Sequence, residues 1–403
     1  MNGLERQCHG FRAGGRAACG VVGALVLLLA VAGSAAAAPS GWITMTAVNE
    51  LGATSSDNTE LFTFDGRLFA YNDNGLFRMQ LSPCLSWEKL YVPTPAGDWT
   101  FTPLGTTLYL HRPASGLYMI SAGTAFSAHA WKAVTSSGIR GISVPLPLIV
   151  FGGQMYAVVY PPGGDTFDIW RSPHVGSTTV TWTRVVQSGF NDPQNHALGF
   201  LTIYDGNLIA TTTSTRDSLF GDSSGFLQGI EVWASASGNA GTWTQINADG
   251  FGTQITKVGS TTSFRTNMDV GGHAVYKGAL YVGTKSHYGA EVWKYTGRGV
   301  GGWTDVTPSW AGPSPLVSMP GRNNALIVYG GELYLAEGFS TGNLAKLSGG
   351  TWSTVVSGPN PFRSDNGGIA SLAVLDGRLY ASTLHAPYSG TTIGDQVLSL
   401  IHI

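Results

Sequence analysis

The sequence predicts an all-β fold, a seven-bladed β-propeller with four-stranded blades, on three observations. A Gly-x-Leu-Tyr type of element recurs seven times. Each copy is followed by a third strand-like segment, and six of them by a fourth that begins with Trp. The missing seventh Trp segment stands alone at the other end of the mature chain, as "WITM" from Trp42.

The first 38 residues are set apart. Arg6, Arg12 and Arg16 form a basic leader, "VVGALVLLLAVAG" is an apolar run, and "SAAAAPS" supplies small residues. This is the layout of a secretory signal peptide, and the run is shorter than the roughly 20 apolar residues that cross a bilayer. Residues 1–38 therefore read as a signal peptide cut after Ala37 or Ala38, and 39–403 as one domain. The mature chain is expected to be secreted or periplasmic, with no membrane span once the leader is removed. Cys84 is then the single cysteine, so burial and backbone pairing must hold the exported fold without an internal disulfide. The formal net charge is −2 and charged residues make up 11%. That offers no electrostatic case for nucleic acid or an anionic membrane surface. Low charge with 56 Gly suits an exported β protein with many tight turns.

The repeated element reads "FDGRLFA", "LGTTLYL", "FGGQMYA", "YDGNLIA", "YKGALYV", "YGGELYL" and "LDGRLYA". Its anchors are Leu68, Leu108, Met155, Leu208, Leu280, Leu333 and Leu379. An apolar run enters a turn rich in Gly and leaves alternating, which predicts a β-hairpin, because Gly, Asn and Asp tolerate the positive φ of two-residue turns. Third strands follow as "GLFR", "GLYM", "DIWR", "EVWA", "EVWK", "NLAK" and "QVLS". Fourth strands follow as "WEKL", "WKAV", "WTRV", "WTQI", "WTDV" and "WSTV". The residue three after each Trp is apolar: Met45, Leu90, Val134, Val185, Ile246, Val306 and Val355. A ring explains the split set, because the N-terminal strand at Trp42 then completes the last blade. Radial repetition of this kind leaves only short sheet edges.

The units resemble kelch repeats. "SMPGRNNALIVYGGELYLAEG" followed by "NLAKLSGGTWSTV" has the kelch order of Met-Pro, Arg, apolar strand, Gly-x-Leu-Tyr, third strand and Trp. Arg140, Arg265, Arg322 and Arg363 stand just ahead of an innermost strand, as the kelch Arg does. The usual Gly-Gly doublet ending the second strand is replaced by "GTK", "AEG", "STL" or "TTT", so the chain reads as a divergent branch or a separate propeller family. The resemblance implies a fold and no single activity, since such propellers serve in binding and in catalysis.

In a propeller the loops between second and third strands share a face with the segments leading into each first strand, and that face is the usual ligand side. The span from hairpin anchor to third strand is longest in blade 4, Leu208 to Val232, and next longest in blade 7, Leu379 to Val397. The span from Trp243 to Leu280, leading into blade 5, is the longest of its kind. Long loops in compact folds often carry function; tolerated insertion is the plainer explanation. Candidate ligand-binding residues on these segments are Arg216, Asp217, His196, His273, His385 and Tyr388, and candidate catalytic residues are His287, Tyr288 and Arg265. Each alone has a structural alternative. The repeated Arg residues suit backbone hydrogen bonding, a lone loop His is commonly solvated, and the repeated Trp residues suit packing.

Two functions follow. The first is recognition of an extracellular glycan or protein by a monomer, with Tyr288 and Tyr388 stacking on sugar rings and Arg216 or Arg265 pairing with an acidic group. The second is a carbohydrate-active enzyme, a polysaccharide lyase or glycosidase. For a lyase, Arg265 would neutralise a uronate while His287 and Tyr288 move protons. A galactose-oxidase-like copper enzyme is excluded, because Cys84 falls between the third and fourth strands of blade 1, on the opposite face. Metal-binding motifs are missing and no redox cofactor is indicated. A structural calcium ion held by loop carbonyls would leave no trace in the sequence.

Overall fold

A computed structural model describes residues 42–45, 51, 59–72, 74–81, 86–94, 99–112, 116–138, 146–214, 229–252, 256–258, 261–263, 267–285, 291–308, 325–336, 343–356, 366–385 and 397–400. Their strands form seven four-stranded antiparallel sheets and two small two-stranded pairs. In six sheets the strands follow one another in chain order from the inside outward. The seventh takes its first three strands from Asn366–Leu375, Arg378–His385 and Val397–Leu400, and its fourth from Trp42–Thr44. The register is antiparallel, with Trp42 opposite Leu400 and Thr44 opposite Leu398. Met45 adds a backbone N–H bond to the Val397 carbonyl at 2.7 Å. The first strand of each sheet touches the first strand of the next, and that of blade 7 touches that of blade 1. The sheets therefore close a ring, a seven-bladed β-propeller with its N-terminal strand in the last blade.

The hairpin turns form because of a few residues. Asp65-Gly66, Asp205-Gly206, Lys277-Gly278 and Asp376-Gly377 all have positive φ, between 47° and 74°. That is the backbone of a tight two-residue turn whose twist matches the flanking strands.

Strand alternation turns the Leu-Tyr pair into glue between blades. All seven anchors, from Leu68 to Leu379, have no solvent exposure. Each faces the preceding blade, while the residue after it faces the next. Leu280, for example, packs in the core shared by blades 4 and 5, and Tyr281 in the core shared by blades 5 and 6. The same split holds at Leu379 and Tyr380 across the closing junction. The hydrophobic core is accordingly seven separate cores, one per junction.

The repeated Trp residues do more than pack. Trp87 Nε1 donates to the Met45 carbonyl of the preceding blade at 3.0 Å, and Trp131 Nε1 to the Tyr91 carbonyl at 3.0 Å. Trp303 Nε1 donates to Ile246 at 2.7 Å and Trp352 Nε1 to Val306 at 2.6 Å. Two members of the series, Trp182 and Trp243, have buried indole nitrogens that make no hydrogen bond among the described residues. Other links hold those two junctions. Thr135–Ser137 pairs in parallel with Thr179–Thr181 between blades 2 and 3. Tyr156 donates to the Ser237 carbonyl at 3.3 Å, and Arg171 to the Asn239 side chain, between blades 3 and 4. On the hairpin face a tyrosine series ties blades 4 to 7: Tyr204 to the Gly278 carbonyl at 3.0 Å, Tyr276 to Glu332 at 3.1 Å and Tyr329 to the Gly377 carbonyl at 3.2 Å.

Candidate functional site on blades 4 and 5

Blades 4 and 5 carry the same side-chain assembly at the loop-face ends of their strands. In blade 4 the turn Ser188–Asn191 has left-handed backbone at all of its residues, with φ between 45° and 66°. A Cβ on Gly189 would lie 2.6 Å from the Asn195 carbonyl oxygen, so the turn needs glycine there. The turn lays Phe190 flat on Trp233, with centroids 4.4 Å apart and planes 1° from parallel. It also brings the Gly189 carbonyl to the Asn195 amide, which donates to it at 2.9 Å. The same amide donates to Glu231 Oε2 at 2.6 Å, and Trp233 Nε1 donates to that oxygen at 2.8 Å.

Blade 5 repeats these contacts with the same residue types, Gly, Phe, Asn, Glu and Trp. Gly250 and Phe251 have φ of 57° and 60°, and Phe251 stacks on Trp293 at 4.7 Å and 7°. Asn267 donates to the Gly250 carbonyl at 3.2 Å and to Glu291 Oε2 at 2.7 Å, where Trp293 Nε1 also donates at 2.9 Å. Thr284 Oγ1 donates to Asn267 Oδ1 at 2.6 Å. Each carboxylate is thus satisfied by neutral donors, as a buried charge must be. Burial nevertheless pushes the Glu231 carboxyl above its ordinary range, opposed by its bonds to Asn195 and Trp233. The two carboxylates are braces for strand ends, bound to amide and indole donors.

The braces hold the bases of the long segments together. Ser214 N donates to the Met268 carbonyl at 2.8 Å, and Ile230 N to the Asn267 carbonyl at 2.8 Å. Residues 214 and 230 flank the blade 4 loop, and residues 267 and 268 end the long segment leading into blade 5. The two long segments expected to meet on the rim therefore spring from stems hydrogen-bonded to each other. The blade 5 segment also contains a small hairpin, Thr256–Val258 with Thr261–Ser263.

The candidate residues fall into three groups. His287, Tyr288, Arg265, Arg216, Asp217 and Tyr388 lie outside the described residues, as do Cys84 and the other repeated Arg positions, Arg140, Arg322 and Arg363. His385 ends the second strand of blade 7, its backbone paired with Asn366. His196 and His273 are described in full. His196 immediately precedes the first strand of blade 4, Ala197–Tyr204, with Nδ1 2.8 Å from the Asp165 carbonyl, so it links blades 3 and 4 as a donor through that nitrogen. His273 lies in the middle of the first strand of blade 5, opposite Val282, and stacks on Phe200 with centroids 3.9 Å apart. Burial lowers its pKa to about 4, so the ring is neutral near pH 7. Among the described residues no group of three or more His, Cys, Asp or Glu is placed to hold a metal ion. No helix there is long and apolar enough to cross a membrane.

Asn195, Glu231, Asn267 and Glu291 were not among the sequence candidates. Their signal is the pair of "GF" turns combined with "EVW" third strands, present together in blades 4 and 5.

No protein-family model matches the chain, and no curated protein matches it significantly in sequence. The kelch resemblance thus rests on the order of residues alone. Among solved structures, the extracellular domain of a protein described as a hybrid two component system of B. thetaiotaomicron is 10% identical, with a TM-score of 0.49. The match covers 89% of this chain and 39% of that one. A computationally designed protein, Ika8, is 9% identical with a TM-score of 0.43, covering 91% of this chain and 99% of that one. A family 117 glycoside hydrolase of Zobellia galactanivorans is 16% identical with a TM-score of 0.34, covering 66% and 87%.

Proposed function

We propose that the protein is an exported propeller that binds an extracellular ligand, a glycan or a protein, on the loop face around blades 4, 5 and 7. The observation that carries this reading is the joining of the loop stems. Two equivalent Asn–Glu–Trp–Phe braces and the Ser214–Met268 and Ile230–Asn267 backbone bonds fix the bases of the longest segments against each other. A binding surface on loops gains affinity when its supports are ordered beforehand. Recognition is favoured over acid–base chemistry because Glu231 and Glu291 are both committed to the braces. The leader directs export, and the mature chain acts as a monomer.

The enzyme reading keeps one specific support. Asp269 and Lys285 are paired at the open end of the blade 5 hairpin. The segments carrying Arg265 and His287 continue from those two ends. Binding of the mature chain to a glycan and polysaccharide array tests both readings. A hit that is lost in a His287→Ala, Tyr288→Ala double variant with unchanged melting temperature supports the rim site. Release of unsaturated products from a uronic-acid polymer would replace recognition by lyase chemistry. A blank array would move the reading to a protein ligand.

A further inference from the structure

Among the described residues two aromatic side chains are exposed, Tyr91 and Tyr160, and Tyr160 is held in an unusual way. It follows directly on the second strand of blade 3, Gln154–Val159, and so stands on the loop face. Its hydroxyl accepts the backbone N–H of Leu198, in the first strand of blade 4. That end of the ring is deeply placed, and burial pushes the hydroxyl pKa up against the effect of the bond. Yet 42% of the residue is exposed. A tyrosine with a buried hydroxyl and that much open surface shows the body of its ring to solvent while both ends are pinned. The repeat does not ask for an aromatic there. Five residues after the hairpin anchor, the other blades carry Asp73, Pro113, Thr213, Lys285, Gly338 and Leu384.

The same two segments are joined a second time. After Tyr160 the chain turns back at residues 161–164, where Gly164 N donates to the Pro161 carbonyl at 3.0 Å and Gly163 has a φ of 69°. Pro162 presets the first central position of that turn and Gly163 takes the positive φ of the second. The turn presents the Asp165 carbonyl to His196 Nδ1 at 2.8 Å. With Nδ1 donating, Nε2 of the neutral ring carries a lone pair, and it has no hydrogen-bond partner among the described residues. His196 is half-buried, and its backbone N–H donates to the Thr213 carbonyl at 2.9 Å. Its neighbour Asn195 is the amide of the blade 4 brace. In the blade 5 brace the residue after the amide is Met268, which is buried. A brace therefore works without an imidazole beside it. Tyr160 meets Leu198 and Asp165 meets His196, two residues or about 7 Å apart along an extended chain, so ring and imidazole are neighbours across the edge between blades 3 and 4.

We propose that Tyr160 and His196 form a subsite for one pyranose ring of a glycan, with the C–H face of the sugar on the tyrosine ring and one sugar hydroxyl donating to His196 Nε2. An aromatic face suits the apolar side of a sugar ring, and a neutral imidazole whose Nδ1 is committed offers one acceptor. Both groups are fixed before a ligand arrives, which removes the cost of ordering them. A protein partner would cover roughly 800 Å² of this face and would draw on several aromatic or Arg anchors; one exposed ring beside one acceptor matches a single sugar residue. Neither group selects for or against charge on the sugar, so the test covers both kinds. The inference rests on the glycan form of the function proposed above and extends its contact face to blade 3.

The test titrates the mature full-length chain with tetrasaccharides of gluco-, manno- and galacto-configuration and with their uronic-acid counterparts. At least one is expected to bind. For that one, Tyr160→Ala should weaken binding by about tenfold, and Tyr160→Phe, which keeps the ring, by less. His196→Met, which installs the residue of the blade 5 brace, should weaken it by about fivefold. In the wild-type protein the imidazole resonances of His196 should shift on titration, a readout that stands whether or not a variant folds. Wild-type affinity in Tyr160→Ala or unshifted His196 resonances would each overturn the proposal. Loss of binding in the His287→Ala, Tyr288→Ala variant but not in Tyr160→Ala would overturn it while leaving the rim site intact. Loss in Tyr160→Ala but not in the double variant would uphold it and remove His287 and Tyr288 from the site. Binding of no member would overturn this proposal together with the glycan form of the rim reading.

Discussion

Glu231 and His273 show two ways in which an ionisable residue can be accommodated in a β-sheet. Glu231 has donors in place, so its removal should be costly. Glu231→Ala leaves Asn195 and Trp233 without an acceptor, and the expected loss is about 2–4 kcal/mol in a chemical denaturation experiment. Glu231→Gln, which keeps one acceptor oxygen, should lose less. His273 is neutral instead of braced. Its folded pKa of about 4 lies below the ordinary 6.5, so the unfolded chain binds more protons between those values. Its contribution to stability is therefore complete above about pH 6.5 and is lost as the pH falls towards 4, by at most about 3 kcal/mol. The difference in unfolding free energy between wild type and His273→Leu should drift by that amount over that window. A flat difference would show that the ring is well solvated. Both residues stood in plain view in the sequence, yet only one was singled out, and for its loop neighbourhood. Glu231 meets Asn195 across the strands of one blade, and the meeting depends on left-handed backbone at Phe190, a residue that rarely adopts it. No local pattern announces that geometry.

At the scale of strands and junctions, much more was legible. The Leu-Tyr pair alternates sides because a strand does, and seven copies in one phase left little freedom in the arrangement. The length of the spans around blades 4 and 5 foretold where long segments meet, because consecutive blades are neighbours in any ring. The hydrogen bonding of the Trp series was not legible. All seven Trp positions look alike in sequence, and which indole finds a carbonyl depends on the neighbouring blade, which the repeat itself does not encode. The consequence can be measured. Trp303→Phe removes a donor from a made bond and should cost about 1 kcal/mol beyond the lost packing. Trp182→Phe removes a donor that makes no described bond, so it should cost less. Equal losses would mean that packing alone explains the series. Removal of residues 42–45 takes the outer strand from blade 7 and should lower the melting temperature sharply. An unchanged value would contradict closure by that strand.

For the molecule as a whole, stability is distributed over seven junctions of similar make. Each junction depends on both of its blades, so a ring has no end from which to fray, unlike an open array of repeats. Leu280→Ala, in the core between blades 4 and 5, should cost about 2–5 kcal/mol and still give a single unfolding transition. Two transitions would show that the junctions melt independently. The pairing of Trp42–Thr44 with Val397–Leu400 also has a consequence for the living cell. The part of the domain that leaves the ribosome first finds its partner in the part that leaves last. Blades 1 to 6 can each assemble as their own strands emerge, but the circle cannot be locked until Val397–Leu400 has been made. Order of manufacture thus acts as the timer for closing the circle.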